Sequence, residues 1–254
     1  MAHFLKKEKD FRYIEVGEGK PLIVLHGLMG GLSNFDAVTD FFSEKGYKVI
    51  IPELPIYSMS LIKTNVKSFA KYLHDFIEFK GFDEVVLLGN SLGGHIGLYH
   101  TKLYPKKIKA LIITGSSGLY ESAMGGGYTK RGDYEVIKKK AQDVFYDPEV
   151  ATKAIVDEVY ETVNDRNKLI KTLAIAKSAI RHNMSKDLPK MKLPVCIIWG
   201  KNDGVTPPEV ATEFNELLPN SELFWIDKCG HAAMMEHPQE FNRILNEWMV
   251  DKKI

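Results

Sequence analysis

Cysteine is nearly absent from this chain: 254 residues hold two, Cys196 and Cys229. Neither has a CxxC partner, which removes zinc-ribbon and thioredoxin-type chemistry, and two thiols in a chain this long make no disulfide framework. Cys196 lies in an apolar run and reads as a small core residue, and Cys229 reads as a second packing residue. An excess of charge is missing too. With 34 basic and 33 acidic side chains the net charge is +1, so no strong field draws in nucleic acid or acidic lipid. The densest basic cluster, Lys138-Lys139-Lys140, reads as a solvated helix face. Apolar runs of membrane-spanning length are lacking, and the opening MAHFLKKEKDFRY has neither the apolar stretch nor the cleavage pattern of a secretory leader. These absences predict a cytoplasmic protein without membrane or nucleic-acid partners, a monomer or homodimer.

What is present is an ordinary globular composition, 44% apolar and 26% charged, enough to bury a substantial core. Short apolar runs alternate with helical patterns. Strands are expected over Phe11–Val16, Pro21–Leu25, Lys48–Ile51, Glu84–Leu88, Lys109–Thr114, Val195–Trp199 and Glu222–Ile226. Helices are expected over Asn34–Lys45, Val66–Phe79, Leu92–Tyr104, Pro208–Leu217 and Pro238–Val250. Several strands read as continuous apolar runs, as strands covered on both faces do. The fold class is therefore α/β: a mostly parallel sheet covered by helices on both faces. The rhythm breaks between Gly118 and Pro189, where helical patterns (Tyr134–Phe145, Pro148–Asn164, Arg166–Asn183) run without a strand. The expected division is a core of residues 1–117 and 190–254 carrying a helical cap insertion, 118–189. The Gly125-Gly126-Gly127 run within it reads equally as a hinge or a simple loop.

The stretch LLGNSLGGHIGL sets Ser91 between two glycines, directly after a strand. Serine is a good helix N-cap, so the pattern alone does not separate a nucleophile from a helix start. Open parallel sheets bind their ligands beyond the carboxyl ends of the strands, and four polar groups fall there. Ser91 follows Glu84–Leu88, with Gly89, Gly93 and Gly94 permitting a sharp strand-to-helix turn. His26-Gly27 follows Pro21–Leu25 in a glycine-rich loop; the backbone N–H groups of Leu28 and Leu92 are candidates for an oxyanion hole, and the His26 ring reads as a brace. Asp203 follows Val195–Trp199. His231 follows Glu222–Ile226 and can accept a serine proton and return it. It needs a carboxylate to orient it; Asp203 is the better candidate and Asp227 the weaker. The concurrence of the four groups makes Ser91 a nucleophile rather than a mere cap.

With VLHGLMGG, LLGNSLGGHIGL, YPKKIKALIITGSSG, WGKNDGVTPPEVA and DKCGHAAMMEHPQEFN in this order, the chain resembles the α/β-hydrolase fold family over nearly its whole length. The resemblance implies Ser91 as nucleophile, Asp203 as acid, His231 as base, and the Leu28 and Leu92 amides as oxyanion donors. Serine at position 91 departs from haloalkane dehalogenases and epoxide hydrolases, which carry aspartate there. GNSLGG and the cap resemble carbon–carbon bond hydrolases of the meta-cleavage type, but those typically place tryptophan after the catalytic histidine, where this chain has Ala232. HGLMGG looks more like small esterases and thioester hydrolases. The expected activity is that of a carboxylesterase acting on a small-molecule ester or thioester, with no cofactor and no metal. A carbon–carbon hydrolase or a receptor-like member with slow turnover are the alternatives. Met29, Leu119, Tyr120, Met124, Val205 and Ala232 are expected to line an apolar pocket. Arg131, Arg181 and His182 in the cap could select a carboxylate-bearing substrate if one of them pointed inward.

Overall fold

A computed structural model describes residues 3–121 and 130–254. Met124 and the Gly125–Gly127 run lie outside the described residues. Eight strands form one sheet: β1 Leu5–Glu8, β2 Phe11–Val16, β3 Lys20–Leu25, β4 Tyr47–Pro52, β5 Val85–Asn90, β6 Ile108–Thr114, β7 Val195–Gly200 and β8 Ser221–Ile226. Their spatial order is β1-β2-β4-β3-β5-β6-β7-β8. The pairs β1/β2 and β2/β4 are antiparallel, and every pair from β4 to β8 is parallel. The seven strands expected from the sequence are all present. β1 was not anticipated, because LKKE has one apolar residue and is held as an edge strand by its pairing with β2.

Helices α1 Asp36–Ser43, α2 Val66–Lys80, α3 Leu92–Leu103, α4 Tyr134–Gln142, α5 Lys153–Asn164, α6 Arg166–Arg181, α7 Pro208–Leu217, α8 Ala233–Glu236 and α9 Pro238–Asp251 are described. Consecutive strand residues go to opposite faces. Ile23, Leu25, Leu87, Leu111, Ile113 and Ile197 pack with α2, α3 and α7 residues such as Phe69, Leu73, Ile96 and Phe214. Leu22, Val24, Leu88, Ile112, Cys196 and Ile198 pack with α1 and α9 residues such as Val38, Phe42, Phe241 and Trp248. This period-2 division explains why the strands read as unbroken apolar runs: both faces are covered. Cys196 is a fully buried core residue, as expected.

Two expected helices begin later than their sequence patterns do. Residues 32–35 form a single 3-10 turn before α1 rather than its first turn. The pattern over Pro148–Asn164 splits into a 3-10 turn, Pro148–Val150, and α5, because Thr152 caps α5 with its hydroxyl accepting from Ile155 N–H. Helices α4, α5 and α6 all fall between β6 and β7.

Position of the candidate site follows from the sheet order. β3 has β4 on one side and β5 on the other, with Leu25 paired to Gly89. The chain therefore leaves the sheet in opposite directions after β3 and β5, opening a crevice at this switch point. His26–Gly31 and Asn90–Ser91 are the two loops that bound it.

Candidate active site

Ser91 occupies a backbone conformation that L-residues rarely adopt, φ 55° and ψ −120°, between the last residue of β5 and the first of α3. It stands at the N-cap position, yet its side chain makes no capping bond. The conformation is held from outside: Ser91 N–H donates to Thr114 O at 3.1 Å, and Ser91 O accepts from Ser117 N–H at 3.2 Å. Strain of this kind persists only where surroundings over-determine it, and it is a frequent mark of a functional position. The tight packing requires glycine two residues on. A Cβ on Gly93 would fall inside the carbonyl oxygen of Leu25, so α3 begins against the end of β3. Leu92, as the first residue of α3, has an N–H with no acceptor one turn earlier, at the positive end of the helix. Leu28 lies in a turn closed by Gly30 N–H donating to Gly27 O at 3.2 Å, next to Met29 at φ 60°.

His26 braces that loop. Its Nε2 accepts from Leu54 N–H at 3.0 Å, so the proton sits on Nδ1, which donates to Gly27 O at 2.9 Å. Burial pushes its pKa down, against the Gly27 bond, and the ring stays neutral.

His231 and Asp203 meet. His231 Nδ1 lies 2.9 Å from Asp203 Oδ2, both side chains being almost wholly buried. The carboxylate has all its acceptor capacity engaged: Oδ1 accepts from Val205 N–H at 2.8 Å and Thr206 N–H at 2.9 Å, and Oδ2 also accepts from the Thr206 hydroxyl at 2.8 Å. Burial by itself would lower the His231 pKa, but the charge and hydrogen bond of Asp203 outweigh it, with help from Glu121 and Glu236, and the net shift is upward. Asp227 plays no part, being 73% exposed and 3.7 Å from Lys201 Nζ.

The His231 loop is anchored by residues that sequence reasoning missed. Asn90 Nδ2 donates to Thr114 O at 3.0 Å and to His231 O at 3.2 Å. Gly230 N–H donates to Glu236 Oε1 at 2.7 Å, while Glu236 Oε2 accepts from Tyr146 N–H at 2.8 Å. His231 N–H donates to Val144 O at 2.9 Å. Gly115, at φ 52°, leaves room for the ring: a Cβ there would come 2.8 Å from His231 Nδ1. Cys229 is fully buried in the core cluster, and burial and Glu236 push its thiol far up.

Ser91, His231, Leu28 and Leu92 all line one cavity of about 870 Å³, as do Met29, Val205 and Ala232. Its lining is mainly apolar, with Val159, Ile175 and Met235 among the contributors. Two expected lining residues are elsewhere. Leu119 is buried in the core with α3 and α6 residues, and Tyr120 is 60% exposed. The reason is that the chain after β6 is tied down: Met184 N–H donates to Gly118 O at 2.7 Å and Asn183 Nδ2 to Leu119 O at 3.3 Å. Glu121, two residues past Leu119, does reach the cavity. Arg131 and Arg181 are exposed, and His182 pairs with His95, Nδ1 to Nε2, at 2.8 Å. None of the three is among the cavity residues, whereas Lys139 and Lys140 of the basic run are.

Residues 20–132 and 135–238 match the family described as alpha/beta hydrolase fold. The chain belongs to the alpha/beta hydrolase fold family. The eight-stranded, mostly parallel sheet with its helices is thus a known hydrolase fold. Within it, this alpha/beta hydrolase is 61% identical, over 99% of its length and 100% of the other chain, to an alpha/beta hydrolase enzyme from the metagenome of sediments of the lagoon of Mar Chica, Morocco, with a TM-score of 0.83. It is 29% identical over 91% of its length to 2-hydroxy-6-oxo-6-(2'-aminophenyl)hexa-2,4-dienoic acid hydrolase of Metapseudomonas resinovorans, covering 84% of that protein. It is 27% identical over 86% of its length to Lipase 3 of Moraxella sp. strain TA144, covering 73% of that protein. Among the described residues no helix is long and apolar enough to cross a membrane, and no cluster of His, Cys, Asp and Glu could hold a metal ion.

Proposed function

We propose that this hydrolase cleaves uncharged carboxylic esters of small to medium apolar acids through a Ser91–His231–Asp203 triad. The observation that carries this reading is the buried 2.9 Å His231–Asp203 contact on the wall of the cavity that also holds the strained Ser91. With Nδ1 committed to Asp203, Nε2 is the nitrogen left to serve the serine. Ser91 Oγ adds to the ester carbonyl carbon as its proton passes to Nε2. The Leu28 and Leu92 amides hold the oxyanion, each worth about 10²–10³-fold. Collapse expels the alcohol, which takes the proton from His231, and water then adds to the acyl-enzyme with His231 again as base. Nothing in this course calls for a metal or an organic cofactor. We read α4–α6, within residues 118–189, as a cap over the strand ends, since residues of all three helices line the same cavity.

The dienoic acid hydrolase relative favours a second reading, carbon–carbon bond hydrolysis by the same triad. Against it stand Ala232 after the histidine and the outward course of Arg131 and Arg181. The test is hydrolysis of p-nitrophenyl esters from acetate to decanoate, beside a vinylogous 1,5-diketone acid. Turnover of the esters, lost in Ser91→Ala and tailing off at a chain length the cavity sets, supports the ester reading. Turnover of the diketone with negligible ester hydrolysis overturns it in favour of carbon–carbon cleavage.

A further inference from the structure

Glu121 is a carboxyl group on the wall of a mainly apolar cavity, half-buried and shared with Ser91 and His231. Its charge and that of His231 act on one another. The chain that follows, residues 122–129, reads SAMGGGYT and contains no charged side chain, so it supplies no cation to neutralise Glu121. The cations that line the cavity belong to the cap helices. Lys139 has a side chain 72% exposed and paired to Asp143 at 2.6 Å. Lys177 is exposed on α6, and Lys140 has an interaction of its own. The cap groups suited to grip a carboxylate, Arg131 and Arg181, face solvent. The other carboxylates of the cavity wall, Glu135, Asp143 and Glu158, are exposed, so Glu121 is the half-buried carboxyl that shares the cavity with the reacting histidine.

We propose that Glu121 sets the charge specificity of the site: it admits uncharged esters and turns away those whose acyl chain carries a carboxylate. This rests on the Ser91 hydrolase reading and adds to it the substrate class. A second negative charge brought into a poorly solvated cavity is repelled more strongly than in water, because the local dielectric is low. The tetrahedral oxyanion is not penalised in the same way, being held by backbone donors at the start of α3. Burial raises the Glu121 carboxyl above its ordinary range and His231 opposes that rise, so the exclusion is fully developed at mildly alkaline pH.

The experiment compares p-nitrophenyl pentanoate with mono-p-nitrophenyl glutarate, of equal acyl length and differing by a carboxylate, at about pH 8, well above the ordinary carboxyl range. The ratio of the two kcat/KM values is measured on one preparation, so the fraction of active enzyme cancels, as does any effect of Glu121 on His231 common to both substrates. The wild-type ratio is expected to favour pentanoate by at least about tenfold beyond the ratio of the two esters' spontaneous hydrolysis, and Glu121→Gln to narrow it by at least about tenfold. Glu121→Ala serves the same comparison should the Gln variant fold poorly. A wild-type enzyme that prefers the glutarate, or a ratio unmoved by both substitutions, overturns the proposal. Pentanoate hydrolysis that survives in Ser91→Ala instead counts against the underlying serine reading, so the two failures are distinguishable.

Discussion

Asp203→Asn is expected to lower kcat by about 10⁴-fold with little change in the fold. The carboxylate does two things for His231. It accepts from Nδ1 at 2.9 Å, fixing the tautomer that presents Nε2 to Ser91, and its charge raises the imidazole pKa against burial. An amide in its place can present an N–H to Nδ1 and select the opposite tautomer, leaving Nε2 protonated and unable to act as base. The fold should tolerate the change because an asparagine oxygen can still accept from Val205 N–H and Thr206 N–H, as Asp203 Oδ1 does at 2.8 and 2.9 Å. Steady-state kinetics with circular dichroism on the same sample checks both halves. A loss of less than tenfold would remove Asp203 from the mechanism, and the exposed, lysine-paired Asp227 offers no replacement.

The second large effect is on stability. His95 and His100 are fully buried, and burial lowers both from 6.5 to about 3, aided by the neighbouring His182 and His74 respectively. Neither ring nitrogen of His100 has a hydrogen-bond partner. Below pH 6.5 the unfolded chain takes up protons at these positions that the folded chain refuses. Stability is therefore full above 6.5 and is lost as pH falls from there toward 3. Two such groups give a slope of about 3 kcal/mol per pH unit, or roughly 4 kcal/mol by pH 5. Set against a total of about 5–15 kcal/mol for a typical domain, this predicts acid unfolding about two units below pH 6.5 for a domain at the low end of that range, and lower still for a more stable one. His231, raised in the fold, contributes in the opposite sense and offsets part of the loss. Urea titrations at stepped pH should show the slope, and His100→Leu should reduce it by about one proton. An unchanged slope in that variant would mean His100 does not remain neutral in the folded state.

The strands and the turn at Ser91 were legible because each rests on local chemistry. Val85-Val86-Leu87-Leu88 alternates between two covered faces, and Gly93 leaves space that only a hydrogen can occupy. His231 and Asp203 were legible from their places at strand ends, since the sheet aligns those ends. What escaped depends on contacts distant in sequence. Asn90 meets His231 across 141 positions, and Glu236 bridges Gly230 to Tyr146. No periodicity signals either, although an acid seven residues after Cys229 in a short apolar helix was a visible oddity. Tyr120 and Leu119 were misplaced because the bonds from Met184 and Asn183 turn the chain after β6, and nothing near residue 119 announces them. Glu121 was hidden for the same reason.

The central claim is that Ser91 is the nucleophile, and covalent labelling tests it most directly. Incubation with a fluorophosphonate, followed by intact-mass measurement and peptide mapping, is expected to give one adduct per chain, on Ser91, with none in Ser91→Ala. An ester-hydrolysing preparation that stays unlabelled, or carries its adduct on another residue, would contradict the account.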